Sequence, residues 1–179
     1  MNQRVMLTKR LIRESLVELL KTTDIYHVTV KEICANSGIN RSTFYAHYDN
    51  PMGVLLEIER DTAKDILNIG KVRHINELKK HLEMVFEYMY EHKDLQKIIM
   101  TNNSDDDVYS TLADSTFGFT MPEPYLKMDG NKGKEDVMIQ AVFLTSGIYN
   151  VLKKWIIDDI DKNPVEIADV VYEMIAKQL

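Results

Sequence analysis

The chain has 179 residues, with 22 Lys and Arg against 28 Asp and Glu for a formal net charge of −6, and 45% of its residues are hydrophobic. That is an ordinary globular composition, and a single cysteine, Cys34, excludes an internal disulfide framework and a cysteine-based zinc site. The N-terminal stretch has no apolar signal core and no run reaches the ~18 apolar residues of a membrane span, so a cytoplasmic protein away from membranes is expected. The acidic total argues, at first, against a polyanionic partner.

In chain order, Leu7, Leu11, Ile12, Leu16, Leu19 and Leu20 recur at helical spacing over residues 7–21, with Lys9, Arg10, Arg13 and Lys21 on the other face. Thr29 followed by Glu32 is a capping box that opens a second helix, and Ser37-Gly38 closes it. Asn40 caps a third helix expected over 41–48, and Asn50-Pro51 starts a fourth that runs to about Gly70. A fifth is expected over about 75–91, a short sixth over Asp94–Met100, and a seventh from Ser104 to about Phe117. Residues 118–133 hold Gly and Pro without periodicity and read as a loop. Residues 134–157 form a long, mostly apolar helix, and Asn163-Pro164 starts the last one. No alternating strand pattern is present. The fold class is all-α, about nine helices, divided into a small N-terminal domain (1–50) and a larger helical one (51–179).

Charge divides the same way. Residues 1–50 carry seven basic against five acidic side chains, while residues 51–179 carry fifteen against twenty-three. Such asymmetry raises the question of a polyanion near the smaller part. Residues 29–48, TVKEICANSGINRSTFYAHY, are two short helices joined by a Gly-containing turn, the pattern of a helix-turn-helix. Ile33, Cys34, Ile39, Phe44 and Tyr48 supply an apolar seam. Arg41, Ser42, Thr43, Tyr45 and His47 then face outward. Arg41 suits guanine or phosphate, Ser42 and Thr43 suit base edges or phosphates, and Tyr45 and His47 suit phosphate oxygens. The helix N-terminus at Thr29 offers free N–H groups as a phosphate anchor. Helix pairs with a Gly turn also occur in all-α proteins without any role in DNA binding, but exposed aromatics and an Arg on so short a helix are unusual on a merely solvated face.

With its G-I-N-R-S-T-F-Y-x-H-Y-x-N run (residues 38–50) and the amphipathic helix before it, the stretch from about residue 5 to 60 resembles the TetR/AcrR family of bacterial transcriptional regulators. The resemblance implies an all-helical homodimer with an N-terminal three-helix DNA-binding domain and a C-terminal domain for ligand and dimerisation. It places the DNA contacts at Thr29, Asn40, Arg41, Ser42, Thr43, Tyr45, His47 and Asn50. The family usually has a phosphate-holding Lys where this chain has Pro51, so one anchor is missing and Asn50 is left to substitute. Cys34 stands where the family usually has Ala and reads as a small core residue, with a redox sensor as the alternative.

The segment 146–171 (SGIYNVLKKWIIDDIDKNPVEIADVV) is similar to the end of many such C-terminal domains, where the last two helices pair with their symmetry mates. No charge interrupts Val137 to Leu152, so an apolar face beyond the core needs cover. Phe143, Gly147, Val151, Trp155, Val171 and Ile175 are the candidate dimer residues. Met84, Tyr88, Met100, Phe117, Phe119 and Met121 offer adaptable walls for a small hydrophobic or amphipathic effector, or else plain core packing. No nucleophile set, phosphate loop or metal-ligand spacing is present, so neither an enzyme nor a cofactor is expected. The expected function is a dimeric repressor of palindromic double-stranded DNA, released by a small molecule. The alternative is a regulator that works through a protein partner, as an activator.

Overall fold

The computed structural model describes residues 3–69, 75–102 and 134–177. Among the described residues the chain forms eight helices and no strand: α1 (Gln3–Leu20), α2 (Val30–Ser37), α3 (Arg41–Tyr45), α4 (Pro51–Asn68), α5 (Ile75–Glu91), α6 (Lys93–Asn102), α7 (Lys134–Ile157) and α8 (Pro164–Ala176). The helix expected from Ser104 and the loop expected over 118–133 lie outside the described residues, as do Phe117, Phe119 and Met121.

Contacts divide the chain into Met1–Thr62 and Ala63–Leu179. The boundary falls inside α4, not at its start, because Val54, Leu55 and Ile58 are buried and belong to the first unit. Its core takes Ile12, Leu16 and Leu20 from α1, Ile33 and Cys34 from α2, and Phe44 from α3, all at most 7% exposed. Burial of Phe44 alone stabilises the unit by about 3–5 kcal/mol, the usual cost of truncating a core aromatic to alanine.

In the second unit α5 packs along α8, and α6 packs against α7 and α5. Leu78, Leu82, Val85, Phe86 and Met89 form the buried stripe of α5, and Ile167, Ala168, Val171 and Ile175 that of α8. Trp155 of α7 is 2% exposed, with Phe86 at 5.5 Å and Tyr90 at 5.7 Å between ring centroids. Its indole N–H donates to the Lys162 carbonyl at 3.0 Å, which ties α7 to the loop before α8. In that loop Asp159 takes a left-handed φ of 50° and pairs with Lys93 (2.6 Å) and Lys97 (2.8 Å) of α6. α8 is opened by Asn163, which accepts the Glu166 N–H at 3.0 Å while Glu166 accepts the Asn163 N–H at 2.8 Å. No helix among the described residues is long and apolar enough to cross a membrane.

Candidate nucleic-acid interface

The helix-turn-helix is built by local chemistry. Thr29 caps α2: its hydroxyl oxygen accepts the Glu32 N–H at 3.3 Å, and the Glu32 carboxylate accepts the Thr29 N–H at 2.8 Å and hydroxyl at 2.7 Å. Those bonds, the hydroxyl first and the amide second, hold Glu32 below the usual carboxylate range. They also occupy both donors of Thr29 itself, its amide and its hydroxyl. The donors this helix end still presents are the amides of Val30 and Lys31 and the Lys31 ammonium. Gly38 ends α2 at φ +70°. A Cβ there would meet nothing within 4 Å, so the backbone alone demands glycine. Ser15 of α1 donates a buried hydrogen bond to the Ile33 carbonyl at 3.0 Å and fixes α1 on α2.

Asn40 caps α3, its side-chain oxygen accepting the Thr43 N–H at 2.8 Å and the Ser42 hydroxyl at 2.7 Å. The helix is shorter than the expected 41–48 and ends at Tyr45, although the amides of Ala46, His47 and Tyr48 still bond back to Ser42 and Phe44. The chain must leave helical geometry by Asn50, because Pro51 disfavours it in the residue before. Phe44 and Tyr48 turn inward as expected, ring to ring at 5.9 Å, while Ile39 is half-buried. Arg41, Ser42 and Tyr45 are exposed, the last by 56%, and Thr43 and His47 are half-buried. Asn50 accepts the Gly53 N–H at 2.9 Å and caps α4, leaving its NH2 as the outward donor. Burial pushes the Cys34 thiol up against the opposing charge of Arg41, so it stays protonated, as a core thiol does.

A charge cluster behind α3 went unanticipated. Glu57 of α4 binds Lys9 at 2.8 Å and Arg13 at 3.8 Å, Arg13 also binds Asp61 at 2.8 Å, and the Tyr48 hydroxyl donates to Glu57 at 3.2 Å. Two of the basic residues of α1 are therefore neutralised inside the unit. A signal did exist: Lys9/Arg13 and Glu57/Asp61 are two opposite i, i+4 pairs, matched along two parallel helices. The first unit as a whole carries eight Lys and Arg against eight Asp and Glu. Glu59, 2% exposed, was equally unforeseen. Its Oε2 has no partner among the described residues, and burial pushes its carboxyl up to about 7.

In the second unit Met84 is exposed, Met100 is packed in the core, and Tyr88 is half-buried with its hydroxyl on Asp65 at 3.3 Å. Met100 and Tyr88 belong to the same apolar cluster, Tyr88 packed against its edge, and Met84 is not part of it. Of the candidate dimer residues, Phe143 and Gly147 are exposed and Val151 is half-buried. Trp155, Val171 and Ile175 are at most 3% exposed and belong to the protomer's own core, against α5. Met138, Ile139, Val142 and Met174, not singled out from the sequence, are exposed apolar side chains. His81 is a core histidine, pushed down by burial.

Residues 76–177 match the TetR_C_8 family, described as "Transcriptional regulator C-terminal region". The chain is 23% identical over 96 residues to an uncharacterised HTH-type transcriptional regulator of Bacillus subtilis, YxbF, a match over half of this chain and a quarter of that protein's length. Among solved structures it is similar to the dihydroxyacetone kinase operon activator DhaS (TM-score 0.68, 14% identity, 96% and 95% of the two chains). It is also similar to a TetR regulator from Streptococcus agalactiae 2603V (TM-score 0.72, 19% identity, 97% and 96%). At these identities the structural likeness carries the fold, and the family match carries membership. The chain therefore belongs to the TetR family of transcriptional regulators, with the C-terminal region of the TetR_C_8 type.

Proposed function

We propose that the protein binds palindromic double-stranded DNA as a homodimer, with α3 of each protomer in a major groove, and represses until a small hydrophobic or amphipathic effector binds the second unit. The observation that carries this reading is α3 itself. Arg41, Ser42 and Tyr45 are exposed on a helix whose other side, Phe44, is fully buried, so this set is the one turned outward for reading. Arg41 is assigned to base edges, and Tyr45, His47 and the Asn50 amide to phosphates. Asn40 and Thr29 act as caps that hold the two helices, and Ser42 and Thr43 complete the face.

Dimerisation is supported by the exposed apolar stripe of α7, where Ile139, Val142 and Phe143 lie within about two turns of Gly147, whose missing side chain leaves open space for a partner backbone. An effector shifts the protein only as far as it prefers the state that does not bind DNA. Cytoplasmic location belongs to the same reading. A mobility-shift assay with DNA from upstream of the protein's own gene tests it, and the expected result is a salt-sensitive, sequence-selective complex. Equal binding to unrelated DNA, or none, overturns it. Activation is the second reading, because the similar DhaS is named as an operon activator. A promoter fusion decides between them, as deleting the regulator raises expression under repression and lowers it under activation.

A further inference from the structure

Glu57 of α4 joins α1 and the turn after α3. Its Oε2 takes the Lys9 ammonium at 2.8 Å, and its Oε1 takes the Tyr48 hydroxyl at 3.2 Å with the Arg13 guanidinium at 3.8 Å. The Lys9 ammonium also lies 5.1 Å from the centre of the Tyr48 ring. The cluster is only part-exposed, with the side chains of Lys9, Arg13 and Glu57 at 29–30%, so water and salt screen it less than an open surface pair.

We propose that Glu57 is a positioning residue for DNA reading, which sets the presentation of α3 through the Tyr48 hydroxyl and withholds the cations of Lys9 and Arg13 from sequence-independent attraction. The inference rests on the reading of α3 as the DNA-reading helix. Apolar packing holds Phe44 in place, but it is non-directional and does not by itself fix rotation about that contact. A hydrogen bond does, because its strength falls steeply with angle. Burial, and then Glu57, push the Tyr48 phenol far above its ordinary titration range, so it remains a donor at every working pH. The charge half of the proposal follows from the even balance of the first unit. Phosphate attraction scales with the cations presented, so each cation released adds to binding at any sequence.

The test uses the full-length protein, a duplex that the wild type selects from random DNA, and a scrambled duplex of the same length. Glu57→Gln is expected to weaken binding to the selected duplex about tenfold and strengthen binding to the scrambled one a few-fold, with a salt slope steeper by about 1. Tyr48→Phe is expected to weaken the selected duplex about threefold and leave the scrambled one unchanged. The double variant should then lose less on the selected duplex than the two single losses combined, because Glu57→Gln weakens the same Tyr48 hydrogen bond, from a charged to a neutral acceptor, that Tyr48→Phe removes. Thermal melting is followed alongside. Equal losses on both duplexes in step with a lowered Tm mean a merely structural role and overturn the proposal, and so does an unchanged selectivity. If Glu57→Gln does not fold, the selectivity of Tyr48→Phe decides. A wild type that selects no duplex refutes the DNA reading itself, and the positioning role falls with it.

Discussion

Replacing Glu59 by glutamine isolates one buried charge. Glu59 follows Leu55 by one turn on the buried side of α4, is 2% exposed, and has an oxygen without a partner among the described residues. Its carboxyl is raised from 4.5 to about 7 by burial, against a smaller pull from Arg60. Because the folded value lies above the unfolded one, the folded protein holds a proton between about pH 4.5 and 7 that the unfolded chain has released. Stability from this group is therefore complete below the unfolded value and is lost as pH rises, by at most about 1.4 kcal/mol per pH unit and about 3 kcal/mol in all.

Glutamine is neutral at every pH. The stability of Glu59→Gln relative to wild type should therefore rise by about 3 kcal/mol between pH 5 and pH 8, whatever constant offset its amide introduces through imperfect packing. Urea unfolding followed by circular dichroism at the two pH values measures this, and in thermal melts it amounts to roughly 6–12 °C. His81, pushed down by burial, contributes stability in the opposite sense, lost as pH falls, but it is present in both proteins and cancels in the difference. Parallel pH profiles for the two proteins would show that Glu59 is ionised without penalty, and would refute the reasoning.

Tyr45→Ala should weaken binding to all DNA sequences alike, by about three- to tenfold, with stability unchanged within about 0.5 kcal/mol because the ring is 56% exposed; a change confined to one base position contradicts a phosphate contact. Gly38→Ala should destabilise by about 1–2 kcal/mol through its φ of +70° alone, and Gly38→Asn by less, read by thermal melting. Phe143→Lys should produce a folded monomer by light scattering, since that side chain is 70% exposed in the protomer, and a variant that stays dimeric rules out the α7 stripe as the interface.

What the sequence made legible was local. The Thr29–Glu32 box, the glycine at position 38 and the Asn-Pro helix starts at 50–51 and 163–164 each depend on residues within one turn, and each sits where the spacing put it. The inward turn of Phe44 on α3 and of Tyr48 just after it followed for the same reason. The long apolar helix was different. From Val137 to Leu152 no charge marks an outer side, so periodicity alone could not tell that Phe143 faces out while Trp155, just over three turns on, is packed on Phe86. Glu57 and Glu59 show the same limit on α4. Two residues apart, they meet different surroundings, one a charge cluster and the other burial without a partner for its Oε2 among the described residues, and only tertiary packing assigns them.

The net charge of −6 first spoke against DNA, and a cut at residue 50 turned it into a basic head on an acidic body. The structure moves the boundary into α4, and the head becomes electrically even, with two cations of α1 held by α4 carboxylates. An even head has little sequence-independent grip on phosphates, so on the proposed reading its affinity must come from base contacts at Arg41 and from holding two heads together. Linked heads bind the second half-site at a high effective concentration, and a lone head of low intrinsic affinity loses that advantage entirely. Breaking the dimer through α7 should therefore abolish operator binding outright, far beyond a twofold reduction, even though no residue of α3 has been touched.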